Sequence, residues 1–106
     1  MDIFGALAEP SRRQILDLLS RSELAAGAIV DAVGLSQPGV SKHLKYLREA
    51  GLISVRADGQ RRLYRIEPAR LAELDAWLEP YRRFWRGRLD ALDRHLEKEK
   101  EERHGG

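Results

Sequence analysis

The segment 52–67, LISVRADGQRRLYRIE, most constrains the fold, because it is where the spacing of apolar residues changes. Two β-rich runs flank Asp58-Gly59, a dipeptide that favours a tight hairpin turn. On either side of it the apolar residues recur at three- and four-residue intervals, the signature of amphipathic helices. The chain is therefore expected to be mainly α with one small β-hairpin. With 106 residues it has room for one core.

Four helices are expected ahead of the hairpin. The first covers residues 2–8, with Ile3, Phe4 and Leu7 at helical spacing. The second starts at Pro10, tolerated in a first turn, and carries Ile15, Leu16, Leu18 and Leu19. The third runs from about Leu24 to Val33 and stops at Gly34. The fourth is capped by the Ser36 hydroxyl and ends at Gly51. After the hairpin a long helix is expected from residue 68 to about 101, with Pro80 kinking it or dividing it in two. Residues 1–101 then form a single domain, and residues 102–106 a frayed, disordered tail.

The fourth helix has two unlike faces. On a 100° wheel Val40, Leu44 and Leu47 lie within about 60° of one another, whereas Pro38, Ser41, Lys42, Lys45 and Glu49 point the other way. A small, polar, basic face at the front of a helix suits the roughly 12 Å major groove, where amides and hydroxyls read base edges and lysines meet phosphates. Pro38 and Gly39 keep that end thin, and its free N–H groups suit a phosphate. The same face also fits an ordinary solvated helix. His43 stands about 60° from the core centre and is open to either a structural or a DNA-contacting role.

Charge favours the DNA reading. The net charge is +2, yet Ser36–Ile66 holds Lys42, Lys45, Arg48, Arg56, Arg61, Arg62 and Arg65 against only Glu49 and Asp58, a local +5. Upstream, Gly34-Leu35 makes a tight turn between the third and fourth helices, giving a helix-turn-helix. Downstream, Gln60, Arg61 and Arg62 follow the hairpin tip, placed for a phosphate or a narrow minor groove. Together these describe a winged helix-turn-helix.

The residues resemble the ArsR family of winged-helix transcriptional repressors along nearly the whole chain. The resemblance rests on LAEPSRRQIL, LSQPGVSKHLKYLREAGLI and DGQRRLYRI. It implies that Ser36, Gln37, Ser41, Lys42 and His43 face DNA or the groove edge, with the wing arginines on the DNA backbone. Arg12 and Arg13 are open to phosphate contact or to a solvated or ion-paired role. Glu9 stands where the family commonly has Asp, a better cap. Many relatives sense metals through cysteines on the third helix, but Ala25 and Gly27 occupy those positions and the chain has no cysteine. The family's other site needs an Asp-x-His and a downstream His-x-x-Glu, whereas this chain offers Asp93, His95 and His104 at the wrong spacing. No metal or other cofactor is expected.

The last helix presents Leu71, Leu74, Leu78, Tyr81, Trp85, Leu89, Leu92 and Leu96 in a nearly heptad row. So small a domain has little core left for such a stripe, and the resemblance implies homodimerisation through this helix and the first. The expected interface comprises Ile3, Phe4, Leu7, Leu74, Leu78, Tyr81, Trp85, Leu89 and Leu92. Trp77, Tyr81, Phe84 and Trp85 cluster around Pro80, as interface core or as the lining of a small-molecule pocket.

The expected function is repression of transcription by a homodimer on an inverted-repeat operator in double-stranded DNA. Its DNA-binding residues are Ser36, Gln37, Pro38, Ser41, Lys42, His43, Lys45, Gln60, Arg61 and Arg62. The alternatives are a winged-helix module for an acidic protein partner and a metal-responsive repressor. An unidentified small-molecule effector stays open. Catalysis is not expected, since no nucleophile and base pair, paired carboxylates or glycine-rich phosphate loop is present. The absence of a run of roughly 20 apolar residues excludes an expected membrane span and favours a cytoplasmic protein.

Overall fold

The computed structural model describes residues 2–104, with side chains described through residue 101. In chain order the elements are α1 (Ile3–Ala8), α2 (Pro10–Leu19), β1 (Leu24–Ala25), α3 (Ala26–Val33), α4 (Gln37–Glu49), β2 (Ile53–Asp58), β3 (Arg61–Ile66) and α5 (Pro68–His104). Two compact units divide after Ala72. Among the described residues no helix is long and apolar enough to cross a membrane.

The first unit is built on one core. Ile15, Leu16 and Leu19 of α2, Ile29 of α3, Val40, Leu44 and Leu47 of α4, and Leu52 and Ile53 at the start of the hairpin are all buried, with Ala6 of α1 closing one side. Helix starts follow their side chains: Asp2 accepts from the Phe4 N–H at 3.2 Å, and Glu9 accepts from Ser11 at 3.4 Å. The second distance is at the long end of hydrogen bonding, as expected of Glu where a shorter carboxylate caps better.

Two local expectations are corrected here. Leu24 does not begin the third helix: Leu24 and Ala25 form a short strand antiparallel to β3, opposite Tyr64 and Leu63, and α3 starts at Ala26. The hairpin is thus part of a three-stranded sheet ordered β1-β3-β2. Its turn also sits one residue further on than Asp58-Gly59 suggests, because Asp58 pairs with Arg61 and leaves Gly59 and Gln60 as the loop. Gly59 has φ 64° and no non-glycine residue among the described residues has positive φ, so this is the glycine-first pattern of a II′ connection.

The second unit is the α5 segment from Glu73. Pro80 does not divide α5, which is one helix through His104. Proline removes the N–H that would serve the carbonyl four residues earlier. Five residues before Pro80, the Asp75 carbonyl accepts from Arg82 Nη2 at 2.6 Å, and the same nitrogen donates to Glu79 Oε2 at 3.0 Å. Its Nη1 hydrogen-bonds the Asp75 carboxylate, which this contact holds below the usual carboxylate range. Of the expected frayed tail, residues 102–104 are helical, and Gly105 and Gly106 lie outside the described residues.

Candidate nucleic-acid interface

The helix-turn-helix is formed by α3 and α4. Gly34 ends α3 in the left-handed conformation, φ 69°, and its N–H donates to the Val30 carbonyl at 3.1 Å. That conformation is strained for any residue with a Cβ, which makes glycine the natural stop. Two residues later Ser36 caps α4, its Oγ accepting from the Gly39 N–H at 3.2 Å. Its hydroxyl proton stays available to an external acceptor. Pro38 has no N–H, Gly39 is engaged by Ser36, and Val40 donates to the Ser36 carbonyl. The first turn therefore keeps one donor without a protein partner among the described residues, the Gln37 N–H.

The two faces of α4 separate cleanly. Val40 and Leu47 are 0% exposed, while Ser36, Gln37, Pro38, Ser41, Lys42 and Lys45 are all exposed. These two anchors, with buried Leu44 between them, thus present one polar row to solvent. His43 is half-buried, and its ring has no hydrogen-bond partner among the described residues.

Side-chain alternation along a strand splits the wing arginines. Arg62 shares a face with Tyr64 and Ile66, which pack on the core, whereas Arg61 shares the opposite face with Leu63 and Arg65. Gln60, Arg61 and Arg62 are all exposed. Arg61 Nη2 is paired with Asp58 Oδ2 at 3.0 Å, and Arg62 has no ion-pair partner among the described residues.

The basic middle is less free than its charge count implies. Arg56 meets Glu23 at 2.7 Å, and Arg65 lies 4.0 Å from Glu23 and 3.7 Å from Glu67. The hydrogen bond from Arg56 holds the Glu23 carboxyl below the usual carboxylate range. Lys42, Lys45, Arg48 and Arg62 then carry the positive charge that no acid offsets among the described residues. Glu23 has no signal in the sequence, because its partner is a strand away.

Arg12, half-buried, and Arg13, exposed, are both engaged at the end of α1. Arg12 Nε and Nη2 donate to the carbonyls of Ala6 and Gly5 at 2.8 and 2.9 Å, and Arg13 Nη1 donates to Leu7 at 2.7 Å. Both thereby cap the C-terminal end of α1, whose last carbonyls lack helical donors. Of the residues expected at a dimer interface, Ile3 and Leu7 are half-buried against the molecule's own core, while Phe4 is 47% exposed. Leu74 and Leu78 are half-buried, and Tyr81, Trp85, Leu89 and Leu92 are exposed. Trp77 and Tyr81 rings lie 4.8 Å apart, and Phe84 and Trp85 meet edge-on at 6.1 Å. Further along, His95 pairs with Glu99 at 3.0 Å, while the His104 side chain lies outside the described residues.

Comparison with known proteins decides the family. Residues 9–55, from the start of α2 to the first strand of the wing, match the model of the bacterial regulatory protein, arsR family. The HTH-type transcriptional regulator Rv2034 of Mycobacterium tuberculosis is 41% identical over 80 residues, 76% of this chain and 72% of that protein. The chain belongs to the ArsR family. Another similar protein, the transcriptional repressor SdpR of Bacillus subtilis, is 35% identical over 73% of this chain and 86% of its own length. Among solved structures, one similar to this ArsR-family chain is the homodimeric winged helix-turn-helix DNA-binding domain of a possible ArsR-family regulator from Mycobacterium bovis. It superposes with a TM-score of 0.61 at 39% identity, covering 73% of this chain and 71% of that one. The ArsR-family protein is a transcriptional regulator with a winged helix-turn-helix, and not an enzyme.

Proposed function

We propose that this ArsR-family regulator represses transcription by occupying an inverted-repeat operator as a homodimer. The observation that carries the reading is the outward row of α4, where Gln37, Pro38, Ser41, Lys42 and Lys45 are exposed together over fully buried Val40 and Leu47. Such a helix enters the major groove, with Gln37 and Ser41 at base edges, Ser36 and His43 at the groove edge, and Lys42 and Lys45 on phosphates. At the wing, Gln60 and Arg62 meet the neighbouring backbone, and Arg61, paired with Asp58, contributes less. Two-fold symmetry puts the half-sites about one helical turn, roughly 34 Å, apart.

Dimerisation is supported by the exposed row on α5, in which Trp85 is 59% exposed and Leu89 54%. Side chains of this size rarely stay in water over so long a stretch, and a second copy of the row would cover it. The M. bovis relative is described as homodimeric and SdpR as a repressor. The aromatic cluster on α5 leaves room in this reading for a small-molecule effector.

The test is a duplex titration at two salt concentrations with wild type and Gln37→Ala. The expected result is sequence-selective binding by wild type and relaxed selectivity in the variant, each discriminating contact being worth about 1 to 3 kcal/mol. No sequence preference and negligible affinity at physiological salt would instead indicate a module for an acidic protein partner. Sedimentation of Leu89→Glu, expected to shift the chain toward monomer, tests the pairing separately.

A further inference from the structure

Three elements of the first unit converge on one guanidinium. Arg12 belongs to α2, its two donated hydrogen bonds end on α1, and its Cζ stands 4.1 Å from the centroid of the Tyr46 ring on α4. The same tyrosine meets α1 at its other end. A Cβ added to Gly5 would lie 2.6 Å from the Tyr46 hydroxyl oxygen and 3.7 Å from its Cζ. Moving the ring to make room would also move it off the Arg12 guanidinium, which is held by two carbonyls. Only a residue without a Cβ lets α1 come this close to α4.

The contact matters because α1 has six residues, too few to hold a helix alone. Its position is set by what grips it: buried Ala6, the arginine caps at its C-terminal end and the approach of Gly5 to Tyr46. With α4 reading DNA and α1 taking part in pairing, as the family resemblance implies, any change in the spacing of α1 and α4 moves one recognition helix relative to the other.

We propose that Arg12, Gly5 and Tyr46 form a latch that fixes α1 against α4 and thereby sets which half-site spacing the dimer accepts. They are positioning residues, and none needs to touch DNA. The proposal rests on the operator reading, and its test separates the two.

The probe is the duplex that the wild-type chain enriches from a random library, together with versions carrying one base pair more or less between half-sites. Each change moves a half-site by about 3.4 Å and turns it by roughly 35°. Wild type should bind both altered duplexes at least about tenfold more weakly, since the recognition helices then miss their grooves in register and angle. Arg12→Lys keeps the charge but loses the fork that holds two carbonyls, and should bind all three within a few-fold.

Gly5→Ala should erode the spacing preference in the same way. The double variant Gly5→Ala with Tyr46→Phe should restore it, because removal of the hydroxyl leaves only the ordinary 3.7 Å contact. A merely stabilising role would lower the melting temperature and weaken binding to all three duplexes in proportion. Variants that keep the wild-type spacing ratio overturn the latch alone. If wild type enriches no inverted repeat, the operator reading fails and the latch fails with it.

Discussion

Arg56 Nε of β2 donates to Glu23 Oε2 at 2.9 Å, joining the wing to the residue just ahead of β1. Arg65 approaches the other oxygen of the same carboxylate at 4.0 Å. One acid thus restrains two cations on a single face of the sheet. Replacing Glu23 by Ala should free Arg56 for phosphates while Arg65 keeps Glu67 at 3.7 Å, raising affinity for arbitrary duplexes and lowering the ratio of specific to non-specific binding. The dependence of log K on log salt should steepen by about one phosphate contact. An unchanged slope would show that Arg56 does not reach DNA.

The same carboxylate gives a pH dependence of known sign. Because its hydrogen bond to Arg56 depresses the folded pKa, Glu23 contributes stability above the unfolded value of about 4.3 and loses it as pH falls through the lower folded value. Mild acidification should therefore leave the wing anchored, and stronger acid should release it. A carbon-detected NMR titration of the Glu23 carboxyl checks this. In Arg56→Ala the midpoint should move up toward the ordinary carboxylate range.

The wing arginines should behave unequally. Arg62→Ala should weaken binding to all sequences alike and reduce the salt slope by about one contact. Arg61→Ala should have a smaller effect, since its guanidinium already pairs with Asp58 at 3.0 Å. Fluorescence titrations across a salt series compare them directly, and equal losses would contradict the pairing.

The two faces of α4 predict a separation of stability from binding. Leu47→Ala, at a fully buried position, should cost about 2 to 5 kcal/mol in urea unfolding. Ser41→Ala, exposed on the opposite face, should stay within about 0.5 kcal/mol of wild type in the same assay and alter DNA preference instead.

How far the molecule is legible from its residues depends on how local each signal is. The four leading helices, the hairpin and the long final helix all announce themselves through spacing, caps and stops within a few residues. β1 does not, because Leu24 and Ala28 are spaced as in a helix, and the strand partners Tyr64 and Leu63 lie far along the chain. The outward row of α4 is readable from a wheel, since three buried residues determine where the others point. Charge counting is less informative, because it cannot see that Arg56, Arg61 and Arg65 are met by acids. The roles of Arg12 and Tyr46 are likewise invisible before α1, α2 and α4 are brought together.

The short strand β1 has a consequence of its own. Leu24 and Ala25 bond to β3 through their main chains and pass directly into α3, so the wing and the helix-turn-helix hang from one ladder of peptide groups. Backbone bonds do not depend on which side chains are carried. Mutation can therefore rewrite the letters presented by α4 while the ruler between α3 and the wing keeps its length. The fold is in this sense a fixed gauge with an exchangeable scale.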